Sequence, residues 1–108
     1  MTKTTAPSGK GYIYVEMTIH DRQRFQDYTA LSAPAVAAAG GSYAVSGVKP
    51  DVLEGRFDAH RIVLVEFASP EAARSFYHSA AYQAAKAKRT GVADFKMLLL
   101  PGSVQQPR

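Results

Sequence analysis

The chain has 108 residues, enough for one domain with one modest core. Hydrophobic residues make up 46% and charged residues 20%, the balance of an ordinary globular protein, and 13 Lys+Arg against 9 Asp+Glu leave +4. The positive charge is scattered, with no basic run interleaved with aromatics, which argues against a nucleic-acid partner. There is no cysteine, which excludes disulfides, thiolate nucleophiles and thiolate metal sites. Residues 1–10 hold no apolar signal core, and no stretch approaches the roughly 18 apolar residues of a membrane span. The expectation is a cytoplasmic protein that engages no membrane.

Residues 1–10, rich in Thr, Pro, Ser, Gly and Lys, read as a disordered tail, and 103–108 as a flexible one. The domain then runs over 11–102. Its first element is a strand over 11–19, where Ile13, Val15, Met17 and Ile19 alternate with Tyr12, Tyr14, Glu16 and Thr18. Asp21 is placed to cap a helix over 21–39, in which Phe25, Tyr28 and Leu31 fall at helical spacing. Pro34 predicts a kink, or a new turn capped by Ser32. Gly40-Gly41 stops the helix, because glycine takes the left-handed conformation cheaply.

A second strand is predicted over 42–48, resumed at 52–55, with Pro50 in the break marking it as an edge. Residues 61–67 form a nearly continuous apolar third strand, as expected where both faces are covered. Ser69-Pro70-Glu71 is a strong helix start for a segment over 70–89, combining a cap, a first-turn proline and an acid. Tyr77 and Tyr82 are five residues apart and do not share one face of a regular helix, so Ser79 is read as a break that turns both inward. A fourth strand over 95–100 closes the sheet. The order is βαββαβ: an α+β, ferredoxin-like sandwich with a four-stranded antiparallel-type sheet and two helices. The first and third strands are expected to be parallel neighbours.

Several short pieces carry a resemblance. They are Tyr28 followed by Pro34 and Gly40-Gly41; Val52-Leu53-Glu54-Gly55 followed by Arg61 and Val65-Glu66-Phe67; Ala72-Ala73; and Phe76-Tyr77-His78-Ser79-Ala80-Ala81-Tyr82. Together, in this order, they resemble the family catalogued as domain of unknown function 1330. Phe57 and Ala59 depart from it, standing where tryptophan and proline are expected. The resemblance implies the dimeric α/β-barrel group, in which two ferredoxin-like subunits pack open sheet faces together. It also implies a homodimer with a pocket, and leaves the reaction open among cofactor-free monooxygenases, haem-degrading enzymes, isomerases and ligand sensors.

Strand alternation puts Ile13, Val15, Met17, Val63, Val65 and Phe67 on the face that meets the helices. Tyr12, Tyr14, Glu16, Ile62, Leu64 and Glu66 lie on the other, joined by Lys96, Leu98 and Leu100. A second copy covering that other face would desolvate Glu16 and Glu66 and raise at least one carboxyl pKa, the setting of a proton-transfer site. In the plainer reading Glu16 pairs with Lys96 and Glu66 with an arginine to fix the dimer. Tyr28, Tyr77 and Tyr82 are either pocket walls or core residues with a polar tip. Glu54 and Arg61 either close the intervening turn as an ion pair, or Arg56 or Arg61 faces a pocket and holds an acidic ligand. His78 is the histidine best placed for acid–base or haem-ligand duty; no histidine spacing suggests a metal site, and none of the glycines opens a helix as a phosphate loop does.

The leading expectation is a cofactor-free enzyme or binder for a small, partly apolar, oxygenated molecule held between sheet and helices. Glu66 is then the proton acceptor, Tyr14 and Tyr77 orienting donors, Arg61 or Arg56 an anion partner, and Glu16, Tyr28, His78 and Tyr82 the remaining ligand contacts. A noncatalytic ligand-binding or assembly module is the alternative, and a haem-linked or cofactor-free monooxygenase a third.

Overall fold

The structure is a computed structural model that describes residues 9–103; both expected tails fall largely outside the described residues. The order is β1 (Gly11–Ile19), α1 (Arg22–Ala38), β2 (Ser42–Val48), β3 (Arg61–Phe67), α2 (Pro70–His78), α3 (Ala80–Lys88) and β4 (Ala93–Pro101). The strands form one four-stranded sheet in the order β2-β3-β1-β4.

Every neighbouring pair is antiparallel, including β1 with β3. The expected parallel pairing of those two strands is therefore corrected. The connection between β2 and β3 reverses the chain, so β3 runs against β2 and also against β1. The sorting of faces survives, because directly opposed residues share a face whichever way the strands run. Ile13 opposes Val65 and Val15 opposes Val63 on one side; Tyr12 opposes Glu66 and Tyr14 opposes Leu64 on the other.

The core lies on the first of these faces. Ile13, Val15, Met17, Val65 and Phe67 are buried there beneath Ala73 and Phe76 of α2 and Tyr82 and Ala85 of α3. Gly11 lets α2 come down close to β1: a Cβ on it would lie 2.3 Å from the Ser69 carbonyl oxygen and 2.6 Å from the Pro70 Cα.

α1 begins where Asp21 accepts the Arg24 amide at 3.0 Å. It ends in paired backbone bonds, from Gly41 N–H to Val36 O (2.9 Å) and from Gly40 N–H to Ala37 O (3.0 Å), with Gly40 at φ 77°. The helix runs through Pro34 as one element, so of the two outcomes expected of the proline, a kink or a new turn capped by Ser32, the new turn does not form. Pro34 deprives the Ala30 carbonyl of its helical donor, but both residues are exposed and water can serve instead.

The second helical segment is divided. Ser79 is extended (φ −65°, ψ 150°), donates its hydroxyl to Phe76 O (2.7 Å) and accepts the Tyr82 amide (3.1 Å). One side chain thus closes α2 and caps α3. Residues 49–60 contain no strand, so the expected resumption at 52–55 does not occur. Among the described residues no helix is long and apolar enough to cross a membrane.

Gly11→Ala is expected to destabilise the fold by about 1–3 kcal/mol, as overpacking against immobile backbone does; urea unfolding checks this. Ser79→Ala is expected to cost about 1 kcal/mol, the usual value of a helix cap.

Candidate functional site: a cleft between the first helix and the sheet

The residues of α1 that line the space above the sheet mix aromatic Phe25 and Tyr28 with polar Arg22, Gln26, Thr29 and Ser32, and end in Ala33 and Val36. The polar members gain little by closing onto Val15, Met17 and Val63. α1 packs beside α3 instead, while α2 lies against the sheet. The space left under α1 is a cleft of about 740 Å³, within the range of small-molecule sites.

Its floor is Ile13, Val15, Met17, Val63 and Val65, and its far walls are Phe76, Phe95 and Met97. Tyr43, Ser46 and Gly47 of β2 form one side. The pairing of β2 with β3 is irregular between Val45 and Val48, and Gly47 there has φ 64°. Bulges of this kind re-aim a strand beside a site. A Cβ on Gly47 would stand 4.0 Å from Arg61 Cδ, so the bulge lies alongside the Arg61 stem.

Inside the cleft two phenols meet. The Tyr28 and Tyr82 hydroxyls are 2.9 Å apart and their rings are edge-on at 6.2 Å. The Tyr82 hydroxyl is also 3.4 Å from Met97 Sδ, a weak acceptor. Burial, then the Tyr82 hydroxyl, pushes the Tyr28 pKa far above the ordinary phenol value; Arg89 and a hydrogen bond from Ser32 act weakly the other way. Tyr43 is raised as well, by burial and then by Tyr82. Behind this pair the Arg89 guanidinium stacks on Phe95 (4.2 Å) and approaches the Tyr28 ring (5.9 Å), and its Nε is buried without a partner among the described residues.

The predicted site residues divide among four places. Tyr28, Tyr82 and Arg61 line the cleft. Tyr14, Glu16 and Glu66 lie on the opposite face of the sheet, so Glu66 does not reach a ligand held between sheet and helices. There Tyr14 donates to Glu16 Oε2 (3.0 Å), Tyr12 donates to Glu66 Oε1 (3.4 Å), and Lys10 stands 3.9 Å from Glu66. Partial burial, then the Glu16 carboxylate, pushes the Tyr14 phenol up from its ordinary value. Glu66 is thus paired with a lysine and not an arginine. Glu16 opposes Lys96 in register, but takes its hydrogen bond from Tyr14.

Tyr77 and His78 border a separate hollow of about 260 Å³ with Arg74 and the edge of β4. The break at Ser79 brings the Tyr77 and Tyr82 rings within 5.6 Å, yet only Tyr82 turns into the cleft; Tyr77 accepts from Lys86 Nζ at 2.7 Å. Arg56 is exposed and pairs with Asp58 at 3.0 Å, and no Glu54–Arg61 ion pair forms among the described residues. His20 meets Asp94 at 2.8 Å, and His60 Nδ1 accepts the Ile19 amide at 3.2 Å, so both tie loops together. The residues that sequence reasoning passed over are Arg22, Gln26, Thr29 and Tyr43. The signal for the first three was their spacing: 22, 26 and 29 fall on one side of a helix.

No cluster among the described residues has the makings of a metal site. The fold and cleft define a small α+β protein with a ferredoxin-like sheet and an apolar pocket under one helix. The chain belongs to the family described as "Domain of unknown function (DUF1330)", whose model matches residues 10–103.

Three solved structures show what the fold is similar to. One is a protein of unknown function from Rhodopseudomonas palustris (TM-score 0.68, 16% identity, covering 93% of this chain and 85% of that one). Another is SnoaB, a cofactor-independent oxygenase from Streptomyces nogalater (0.58, 14%, 93% and 99%). A third is a dimeric protein of unknown function with a ferredoxin-like fold from Bacteroides fragilis (0.59, 9%, 89% and 99%). No curated protein matches the chain.

The Tyr28 shift has a sign that can be tested. The folded protein holds this proton above the ordinary phenol value of 10.0, where the unfolded chain releases it. Its contribution to stability is therefore complete below that pH and declines as the pH rises beyond it. Tyr28→Phe is expected to flatten the alkaline loss of stability, read as denaturation midpoints on either side of pH ~10.

Proposed function

We propose that the protein binds a small, largely apolar, oxygenated molecule in the cleft under α1 and acts on it, or senses it, as a homodimer. The observation that carries this reading is the Tyr28–Tyr82 hydroxyl pair set against the apolar floor and far walls of the cavity. A ligand oxygen arriving there can take the Tyr82 proton from Met97 sulfur, exchanging a weak acceptor for a strong one. Such a pair suits a phenol, an enol or a conjugated carbonyl. The same hydroxyls stand nearest a ligand bound in the cleft, where the raised pKa of Tyr28 keeps it a neutral hydrogen-bond donor; they orient the ligand and do not inherit the proton-acceptor role that Glu66 had in the sequence reading. Similarity to a cofactor-independent oxygenase at 14% identity speaks for the fold alone and leaves catalysis and sensing both open.

The dimer reading rests on the other face of the sheet. Leu98 and Leu100 of β4 are 46% and 40% exposed there, beside Ile62 and Leu64 of β3 and Val48 of β2. An apolar patch of this kind on a small domain marks a contact surface. Tyr14, Glu16 and Glu66 belong to that surface, where their hydrogen bonds would become buried and orienting.

Two measurements test these readings. A thermal-shift screen with small phenols and enolisable ketones is expected to raise the melting temperature of the wild type. Ala33→Trp, which fills the cleft from an exposed helical position, is expected to lose the shift. Tyr82→Phe is expected to weaken binding about ten-fold, the worth of one buried hydrogen bond at the upper end of the usual range. Stabilisation that survives Ala33→Trp would move the ligand elsewhere. In sedimentation, the wild type is expected at twice the 11.7 kDa chain mass and Leu98→Asp at the chain mass; a monomeric wild type overturns the dimer.

A further inference from the structure

Polarity inside the cleft is one-sided in charge. Two arginines line it, Arg22 at the start of α1 and Arg61 at the start of β3, and no aspartate or glutamate does. Both arginines are exposed, and neither forms an ion pair among the described residues. They stand at the same end of the layer, because α1 and β3 both begin where β1 ends. The Arg61 side chain leaves β3 on the helix side, opposite Met17, and passes the Gly47 bulge that lines the same cleft. Arg89 adds a third positive charge behind the Tyr28 ring.

A cation entering this space would leave water for apolar walls with no counter-charge, which is costly. A neutral apolar molecule would gain nothing from the two guanidiniums. A carboxylate meets donors that suit its planar geometry and stay charged at any working pH. Multiply charged anions suit the site less, since the remaining polar side chains of the lining are neutral and its floor is Ile13, Val15, Met17, Val63 and Val65.

We infer that the ligand of this cleft is a small monocarboxylate, its carbon skeleton lying between α1 and the sheet and its carboxylate held by Arg22 and Arg61. This rests on the cleft being the ligand site, and it adds the chemical class of that ligand. The phenol pair then contacts a second oxygen of the ligand, and the two polar stations set its direction.

The test uses 2-naphthoate and its neutral counterpart 2-naphthamide, titrated calorimetrically into the full chain. The acid is expected to bind at least ten-fold more tightly than the amide. Arg22→Gln and Arg61→Gln, both at exposed positions, are each expected to narrow that ratio. The double variant is expected to bring it within about three-fold, and Arg61→Lys to keep part of it. Equal binding of the two probes by the wild type, lost in Ala33→Trp, leaves the cleft as a ligand site but overturns the carboxylate inference. A preference that persists in the double variant overturns it as well. Failure of both probes to bind overturns the cleft reading and this inference with it.

Discussion

The arrangement depends on α1 being held by α3 instead of by the sheet. In a layered α+β domain a helix ordinarily earns its place by burying an apolar stripe on the strands beneath it. Along its first half α1 offers the strands only Phe25 and Tyr28, which meet Phe95 of β4 at 6.1 and 5.3 Å. What fixes it is lateral: the Tyr28–Tyr82 hydroxyl contact at 2.9 Å, edge-on packing of their rings, and the stacking of Phe25 on Tyr28 at 5.2 Å. Tyr82 is itself wedged against Phe76 at 4.8 Å, and Phe76 against Phe67 of β3 at 5.0 Å. This aromatic series carries the position of the sheet through α2 and α3 to α1. The cleft exists because the series runs around it.

That series requires Tyr82 to point inward one short turn after Tyr77, which an unbroken helix over the whole segment would not allow. Ser79 supplies the change of direction. Its hydroxyl closes one helix and opens the next, so the two-helix segment reverses its facing without leaving backbone donors unsatisfied. Gly11 makes a complementary adjustment at the sheet, since the start of α2 could not approach β1 over a side chain. Close docking of α2 and lateral docking of α1 are two parts of one construction. The first buries the core and the second leaves room for a ligand.

Much of this was legible in the residues. The alternation from Tyr12 to Ile19 gave both faces of β1, and the Asp21, Ser69 and Gly40-Gly41 signals located helix ends within a residue or two. The break at Ser79 could be read from the five-residue spacing of two tyrosines. The relative direction of β1 and β3 was misread because alternation alone carries no direction; only tracing the chain through the reversal between β2 and β3 supplies it. Pro34 misled because its cost depends on whether the freed Ala30 carbonyl is wet, which is a tertiary fact. Tyr28, Tyr82 and Arg61 could be nominated for a pocket, but Glu66 and Tyr14 were nominated for the same one although alternation had already sent them to the far side of the sheet. A pocket between sheet and helices was expected, but its lining by Arg22, Gln26 and Thr29 depends on which side of α1 meets the strands.

The two faces of the sheet therefore have different physical roles, and the charges follow that division. Glu16 and Glu66 are on the outer face, where Tyr12, Tyr14 and Lys10 answer them. The helix side of the cleft holds arginines without acids. A carboxylate placed among Val15, Met17 and Val63 would pair with Arg61 and cancel the field that an entering anion meets. On the carboxylate reading proposed above, the absence of acids from the cleft lining leaves Arg22 and Arg61 to meet the ligand. The irregular pairing of β2 fits the same division: the bulge at Gly47 interrupts an edge strand beside Arg61, trading sheet regularity for space at the charged end of the cavity.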